Sequence, residues 1–248
     1  MNGLLVALGF LTRIPVPIKV FDDAQARVRS LAWYPLVGAL IGAVLCALAW
    51  ALPADKPLLC AALLLVAWVA LTGALHLDGL ADSADAWIGG MAGTWDERRA
   101  RTLEIMKDPR SGPAGVTALV LLLLLKFAAL ASIAPSAWAS LWIAPLLARM
   151  AVTAAFIGTP YVRSGGLGTG LAEAPRVACA LALLLGATAC ALAGWRGAIA
   201  LACAVVVFVM WRRACMRRLG GITGDTAGAL VELVEASVLV GLALYSGT

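Results

Sequence analysis

Residues 57–85 read PLLCAALLLVAWVALTGALHLDGLADSAD, a long apolar run followed by a cluster of acids. Residues 57–75 carry no charged side chain, and a helix of about 20 apolar residues is long enough to cross the hydrocarbon core of a bilayer. The next ten residues, His76 to Asp85, hold the single histidine of the chain and three aspartates. An apolar run that leads directly into a cluster of acids predicts a membrane protein with a polar site at the end of a span.

The three aspartates, Asp78, Asp82 and Asp85, are spaced i, i+4 and i+7, which places their carboxylates on one face of a helix. No Lys or Arg lies between Lys56 and Arg98 to neutralise them. Their repulsion grows next to hydrocarbon, because the effective dielectric constant is low there. A divalent cation relieves this repulsion, and oxygen-only ligands favour Mg²⁺, Mn²⁺ or Ca²⁺ over Zn²⁺. We therefore predict a metal site at these aspartates rather than a solvated acidic turn.

The composition places the whole chain in a membrane. Of its 248 residues 62% are hydrophobic and 13% are charged, whereas soluble domains are about half apolar and about a quarter charged. No polar stretch is long enough to fold alone, so we predict one catalytic domain over residues 1–248. The net charge of +5 then reflects membrane topology and contact with the anionic lipid bilayer, and we expect no nucleic-acid binding.

The apolar runs predict an all-α polytopic integral membrane protein with about seven transmembrane helices. The opening run, Leu4 to Leu11, is too short to span and is followed by Pro15 and Pro17. No basic residue precedes it, so we interpret it as an amphipathic or re-entrant helix rather than a signal peptide. The predicted spans lie near Leu31 to Leu52, Pro57 to Leu75, Ala114 to Ala134, Ser136 to Ile157, Val177 to Gly194, Gly197 to Trp211 and Ala227 to Tyr245.

The basic residues predict the orientation of the chain. They concentrate in the N-terminal segment and in three loops on the same side of the membrane, while the opposite side has only Lys56 and Arg196. Because cytoplasmic segments are enriched in Lys and Arg, we expect the N-terminus and these loops, including the Asp-rich loop, to face the cytoplasm from the inner membrane. The cytoplasmic cations are Arg13, Lys19, Arg27, Arg29, Arg98, Arg99, Arg101, Lys107, Arg110, Arg163, Arg176, Arg212, Arg213, Arg217 and Arg218.

The Asp-rich loop continues into a second candidate cluster. Residues 95–106 predict an amphipathic helix with Leu103 and Met106 on its apolar face. Lys107, Asp108 and Arg110 follow just before the third span. Cations beside a carboxylate cluster suggest a phosphorylated ligand whose charge Lys107 and Arg110 share with a metal.

Two further segments face the same compartment. Arg163 lies in a glycine-rich turn, residues 161–170, where backbone N–H groups can approach an anion. Asp225 stands at the mouth of the last span, either as a helix N-cap or as a site residue. Glu232 and Glu235 follow at i+7 and i+10, and ionisable residues at membrane depth usually face a cavity. We predict a cytoplasm-facing polar cavity with at least four acids.

Six segments together resemble the signature segments of the cobalamin synthase family, the adenosylcobinamide-GDP ribazoletransferases. They occur in the family's order and spacing along most of the chain. The segments are FLTRIP at 10–15, YPLVG at 34–38, HLDGLADSAD at 76–85, LEIMKDPR at 103–110, the turn at 163–168 and GDTAG at 224–228.

The resemblance implies the last assembly step of the nucleotide loop of adenosylcobalamin. A ribose hydroxyl of α-ribazole, or of its 5′-phosphate, would attack the phosphorus of adenosylcobinamide-GDP next to the aminopropanol linker and release GMP. Such a phosphoryl transfer needs positioning and charge neutralisation at phosphorus. Mg²⁺ held by Asp78, Asp82 and Asp85 would bridge the diphosphate and stabilise the leaving group. We also expect association with a second copy of the chain or with other enzymes of the cobalamin pathway.

The resemblance also assigns roles to the remaining candidates. Asp82, Asp85, Asp108 and Asp225 are the candidate catalytic acids, and the general base is left open among the last three. Lys107, Arg110 and Arg163 are expected to clamp the diphosphate, with Arg13 and His76 as supporting residues of the substrate site.

Two other functions are weighed against this one. A CDP-alcohol phosphotransferase of lipid synthesis also places Asp on adjoining helices, but its pattern spaces the later acids four residues apart, whereas this chain compresses them to Asp78, Asp82 and Asp85. A transporter would relay ions through Glu232 and Glu235. It predicts an internal repeat, which the sequence lacks.

Overall fold

The computed structural model describes residues 2–163 and 168–245. Within these ranges the chain forms α-helices joined by short turns and 3₁₀ segments, so the predicted all-α fold is confirmed. The helices are α1 (Asn2–Leu11), α2 (Ala24–Ser30), α3 (Tyr34–Ala51), α4 (Pro57–Thr72), α5 (Leu75–Gly89), α6 (Trp95–Ile105), α7 (Pro113–Ser132), α8 (Ile143–Gly158), α9 (Arg176–Leu192), α10 (Gly194–Leu219) and α11 (Gly224–Leu244).

Five helical segments within the described residues are long and apolar enough to cross a membrane. Helices α4 and α5 pass the same test only as a pair, bent by 89°, which raises the number to six. The remaining predicted span, near Val177 to Gly194, corresponds to α9, which has 17 residues and is shorter than these segments. The five are Ala24–Ala51, Pro113–Ser132, Pro135–Gly158, Gly194–Leu219 and Gly224–Leu244.

The Asp-rich segment between the second and third predicted spans is helix α5, so its three aspartates do have the helical spacing expected of them. Gly73 ends α4 with φ of +65°, a left-handed conformation that favours glycine, and Ala74 follows at φ 59°. The side chain of Arg13 lies against Gly73, and the backbone N–H of Arg13 donates to the carbonyl of Leu71 at 2.7 Å. The end of α1 is therefore fixed to the corner between α4 and α5.

Helix α11 lies at the centre of the bundle and packs against α5, α7, α8 and α10. Nearly every residue from Thr226 to Leu242 is buried. Around it, α3 packs closely on α8, where a Cβ on Gly38 would lie 2.9 Å from the Cα of Leu146. Small residues at such contacts let helices approach within a membrane, where hydrophobic burial gives no preference for protein over lipid.

The basic cluster at Arg212–Arg218 belongs to a helix rather than to the predicted loop, because α10 continues to Leu219. Two of its arginines connect the ends of other helices. Arg212 donates to the hydroxyl of Thr159 at 3.0 Å, and Arg218 donates to the hydroxyl of Thr102 at 2.9 Å. These cations hold together the end of the bundle that carries the candidate site.

Helix α6 confirms the predicted amphipathic segment. It begins with a capping box in which Thr94 and Glu97 satisfy each other's backbone N–H groups. Met106, just after its end, is buried in a small cluster with Ala86 and Leu219, against which Leu103 packs. Helix α6 therefore covers the end of α5 that follows the aspartates.

Candidate active site

The site begins where α5 crosses α11. A Cβ on Gly79 would lie 2.7 Å from the backbone oxygen of Asp225, and one on Gly228 would lie 3.4 Å from the Cα of Gly79. A side chain at Gly79 would therefore displace one of the two helices, whereas a Cβ at Gly228 would only just reach van der Waals contact. Since Asp78 immediately precedes Gly79, the crossing brings the first aspartate of α5 to the beginning of α11.

Asp225 is part of an ion pair rather than a helix cap. The N-cap of α11 is Thr223, whose hydroxyl accepts from the N–H of Thr226 at 3.2 Å. The carboxylate of Asp225 instead accepts a hydrogen bond from Arg163 at 2.5 Å, with 17% of the Asp225 side chain and 29% of the Arg163 side chain exposed. Arg163, predicted to clamp the diphosphate, thus lies beside the candidate catalytic residue Asp225.

A short backbone contact places Arg163. An isolated parallel β-bridge joins Tyr161 to Ile222. In it the N–H of Val162 donates to the carbonyl of Ile222 at 2.9 Å, and the N–H of Ile222 donates to the carbonyl of Pro160 at 2.8 Å. The loop after α8 is thereby attached to the residues that precede α11. Residues 164–167 of the predicted glycine-rich anion turn lie outside the described residues.

These residues line a cavity of about 390 Å³ between α1, α3, α5, α8 and α11. Its exposed end carries Asp78, Arg163 and Asp225, and the buried end carries His76 and Arg149. Between them the wall is mainly apolar and aromatic. The wall residues include Phe10, Leu11, Tyr34, Leu75, Val152, Phe156, Leu171 and Val231.

The three aspartates of α5 have different surroundings. Asp85 accepts the backbone N–H of Gly112 at 2.7 Å and that of Gly115 at 2.9 Å, so its carboxylate caps the beginning of α7. Asp78 and Asp82 accept no hydrogen bond from the described residues. The charges of Asp78, Asp225 and Asp85 repel the carboxylate of Asp82, and the charge of Arg163 attracts it. Across the described ranges, no group of three His, Cys, Asp or Glu side chains is arranged to hold a metal ion unaided.

The second predicted cluster lies away from the cavity. Arg110 donates from its Nε and Nη2 atoms to Asp108 at 3.0 and 2.8 Å, while 86% of its own side chain is exposed. These bonds lower the pKa of Asp108 to about 2, so its carboxylate has little affinity for a proton near neutral pH. Lys107 is exposed, and neither it nor Arg13 at the α4–α5 corner lines the cavity.

The cavity does not contain four acids as predicted, because Glu232 and Glu235 do not line it. Both glutamates instead form ion pairs with buried cations. Lys126 of α7 donates to both glutamates at 2.6 Å, and Arg149 of α8 also pairs with Glu235. All four side chains are buried. We refer to Lys126, Arg149, Glu232 and Glu235 as the buried ion network.

An ionisable residue inside an apolar span is a signal of function or of pairing, and it drew attention to Glu232 and Glu235. The same signal was not applied to Lys126 and Arg149, which were therefore missed. Lys126 and Arg149 lie within the predicted spans Ala114 to Ala134 and Ser136 to Ile157. A cation inside an apolar run carries the same cost as Glu232 or Glu235. Treating all four alike would have marked Lys126 and Arg149 as candidates for buried ion pairs, without showing which acid each one meets.

The comparisons with known proteins cover the whole chain. The family model described as Cobalamin-5-phosphate synthase matches residues 3–243. An adenosylcobinamide-GDP ribazoletransferase of Stutzerimonas stutzeri (strain A1501) is 55% identical over the full length of both chains. The protein of that name from Pseudomonas fluorescens (strain Pf0-1) is 53% identical over 99% of this chain and 100% of its own. No solved structure matches. The chain therefore belongs to the Cobalamin-5-phosphate synthase family.

Proposed function

We propose that the protein transfers the adenosylcobinamide-phosphate group of adenosylcobinamide-GDP to α-ribazole, or to its 5′-phosphate, and releases GMP. The observation that carries this proposal is the meeting of Asp78, Arg163 and Asp225 at one cavity. These residues come from three separate segments of the region that the family model spans. We place the reaction on the cytoplasmic side of the inner membrane, where the basic segments are expected. Association with a second copy or with other pathway enzymes stays a prediction.

The residues at the exposed end of the cavity suit an in-line phosphoryl transfer. Asp225 is our candidate for the base that accepts the proton of the attacking ribose hydroxyl. One of its oxygens is held by Arg163, which leaves the other for the hydroxyl. Arg163 can also donate to a diphosphate oxygen, since a guanidinium has five N–H donors. Asp108 and Asp85 are weaker candidates, because Arg110 and the amides of α7 occupy their carboxylates.

The donor set fits magnesium with fewer protein ligands than the sequence analysis predicted. Mg²⁺ is usually held by one or two carboxylates together with waters and substrate phosphates. Asp78 and Asp82 are the residues we propose for it, because no described residue occupies their carboxylates. When bound, the ion neutralises charge on the diphosphate and on the leaving GMP.

The direct test measures GMP release by detergent-solubilised protein supplied with adenosylcobinamide-GDP and α-ribazole. We expect turnover in Mg²⁺ and its loss in EDTA. Asp225→Asn should lower kcat by about 10²–10⁴-fold, the usual contribution of a positioned base. Asp55→Asn is the matched control, because Asp55 is exposed in the α3–α4 loop away from the cavity, and its turnover should equal that of the unchanged protein.

The outcomes separate the parts of the proposal. Turnover that persists in EDTA removes magnesium and leaves the reaction in place. Normal kcat in Asp225→Asn removes Asp225 as the base. Absence of GMP release from folded protein, with release of CMP from a CDP-alcohol instead, overturns the proposed reaction.

A further inference from the structure

The buried end of the cavity carries polar atoms that the described residues leave without partners. Arg149 is 0% exposed, and its Nε and Nη2 atoms have no hydrogen-bond partner among these residues. His76, 5% exposed, likewise leaves Nδ1 without one. Both residues line the cavity. Because an unpaired buried donor is costly, its persistence at a cavity points to a ligand that supplies an acceptor.

The charge at this end is already balanced. The buried ion network has two cations, Lys126 and Arg149, and two anions, Glu232 and Glu235. An anionic group placed beside Arg149 would therefore add an uncompensated charge in an apolar environment. The ligand that fits is uncharged and has a hydrogen-bond acceptor.

The walls of the cavity define the rest of that ligand. Phe10, Tyr34, Val152 and Phe156 offer an apolar and aromatic surface, which suits a flat ring system. Guanine would leave several donors and acceptors unpaired against such walls. A volume of about 390 Å³ accommodates a nucleoside but not a corrin ring with its side chains.

We propose that the buried part of this cavity is the acceptor subsite, where Arg149 donates a hydrogen bond to the free ring nitrogen of the aromatic base of α-ribazole. The inference rests on the proposed function. That base is a dimethylbenzimidazole, which is uncharged, bicyclic and apolar apart from one ring nitrogen that accepts a hydrogen bond. With the base in the buried part, the attached ribose lies toward the exposed end, where Asp225 receives the proton of its hydroxyl.

The first experiment fills the subsite. Val152 is buried on α8 and lines the cavity, so Val152→Phe reduces the space for the base. We expect the KM for α-ribazole to rise about tenfold or more, while the KM for adenosylcobinamide-GDP stays within about twofold. Val205→Phe is the matched control, because Val205 is 51% exposed on α10 and lies outside the cavity. Equal changes in both KM values, or a change only for adenosylcobinamide-GDP, would overturn the subsite.

The second experiment isolates the hydrogen bond of Arg149. Binding of 5,6-dimethylbenzimidazole and of 5,6-dimethylindole, which lacks the acceptor nitrogen, is followed by isothermal titration calorimetry. We expect the benzimidazole to bind about tenfold more tightly to the unchanged protein. Arg149→Lys, which keeps a cation for Glu235, should reduce this preference to about onefold.

The binding readout does not depend on turnover. A preference that is equal in both proteins, or absent from the unchanged protein, overturns the role of Arg149. If GMP release fails while the preference for benzimidazole is present and lost in Arg149→Lys, then the proposed reaction is wrong and the base subsite stands. If GMP release succeeds but the preference for benzimidazole is absent, then the proposed reaction stands and the base subsite is wrong.

Discussion

At the scale of the residue, three aspartates on one helix face have three different environments. Asp78 lies at the cavity, Asp82 lies among the charges of its neighbours, and Asp85 caps α7 through two amide N–H groups. Identical side chains at helical spacing are therefore not equivalent. Hydrogen bonding by backbone amides marks Asp85 as an anchor between α5 and α7.

This difference predicts separate effects on stability and activity. Asp85→Ala leaves the first amides of α7 without their acceptor and should lower the free energy of unfolding by about 1–3 kcal/mol. Asp82→Ala removes a carboxylate that its acidic neighbours repel and that no described residue binds, so stability should not fall while GMP release does. Detergent unfolding followed by tryptophan fluorescence, together with the GMP assay, measures both. Equal destabilisation by the two variants would contradict the anchor role of Asp85.

At the scale of the element, the crossing of α5 and α11 determines the distance between the functional groups. Gly79 and Gly228 let the two helices approach, and the β-bridge at Tyr161 and Ile222 adds the loop that carries Arg163. The bend between α4 and α5 gives α5 the direction that this crossing requires. Site geometry is thus a consequence of backbone approach at a few positions.

The close crossing of α5 and α11 predicts that adding one methyl group at Gly79 lowers activity strongly. In Gly79→Ala the new Cβ would lie 2.7 Å from the backbone oxygen of Asp225, so α5 and α11 must separate. We expect kcat for GMP release to fall by about 10–10²-fold, because small displacements of reacting groups are costly. Gly158→Ala is the control, since no described atom lies within 4 Å of its added Cβ. Unchanged kcat in Gly79→Ala would show that the approach is not required.

At the scale of the whole molecule, the buried ion network connects three helices, and its two cations balance its two anions. Lys126 from α7 and Arg149 from α8 meet Glu232 and Glu235 from α11. Lys126 also lies 4.8 Å from the ring of Trp68 on α4. Each charge is expensive to bury alone, and the network is tolerated because all four occur together.

The balance predicts that a double substitution is less harmful than a single one. Lys126→Met leaves Glu232 buried without its cation and should lower the free energy of unfolding by about 3–5 kcal/mol. Adding Glu232→Met removes the orphaned acid, while Glu235 keeps Arg149, so most of the lost stability should return. Detergent unfolding of both variants tests this. A double variant as unstable as the single one would refute the charge balance.

Several features follow from the sequence because they depend on local chemistry. Apolar runs of span length predict helices whatever their neighbours, so the all-α membrane fold and the amphipathic helix at 95–106 were predictable. Short motifs also marked Asp78, Arg163 and Asp225 as site candidates, and the structure brings these three residues to one cavity. Six of the seven predicted spans match segments long enough to cross a membrane, counting α4 and α5 as one bent pair, and the seventh corresponds to the 17-residue helix α9.

Other features depend on which helices pack together, so they could be read from the folded chain and not from its sequence. The chain alone determined that carboxylates and cations lie near the ends of apolar helices. It did not determine that Asp85 would be taken by the amides of Gly112 and Gly115, or that Lys126 and Arg149 would neutralise Glu232 and Glu235. These partners are distant along the sequence, and their pairing follows from helix packing, which has no local signature. Tertiary packing therefore separates the acids that serve the cavity from those that stabilise the bundle.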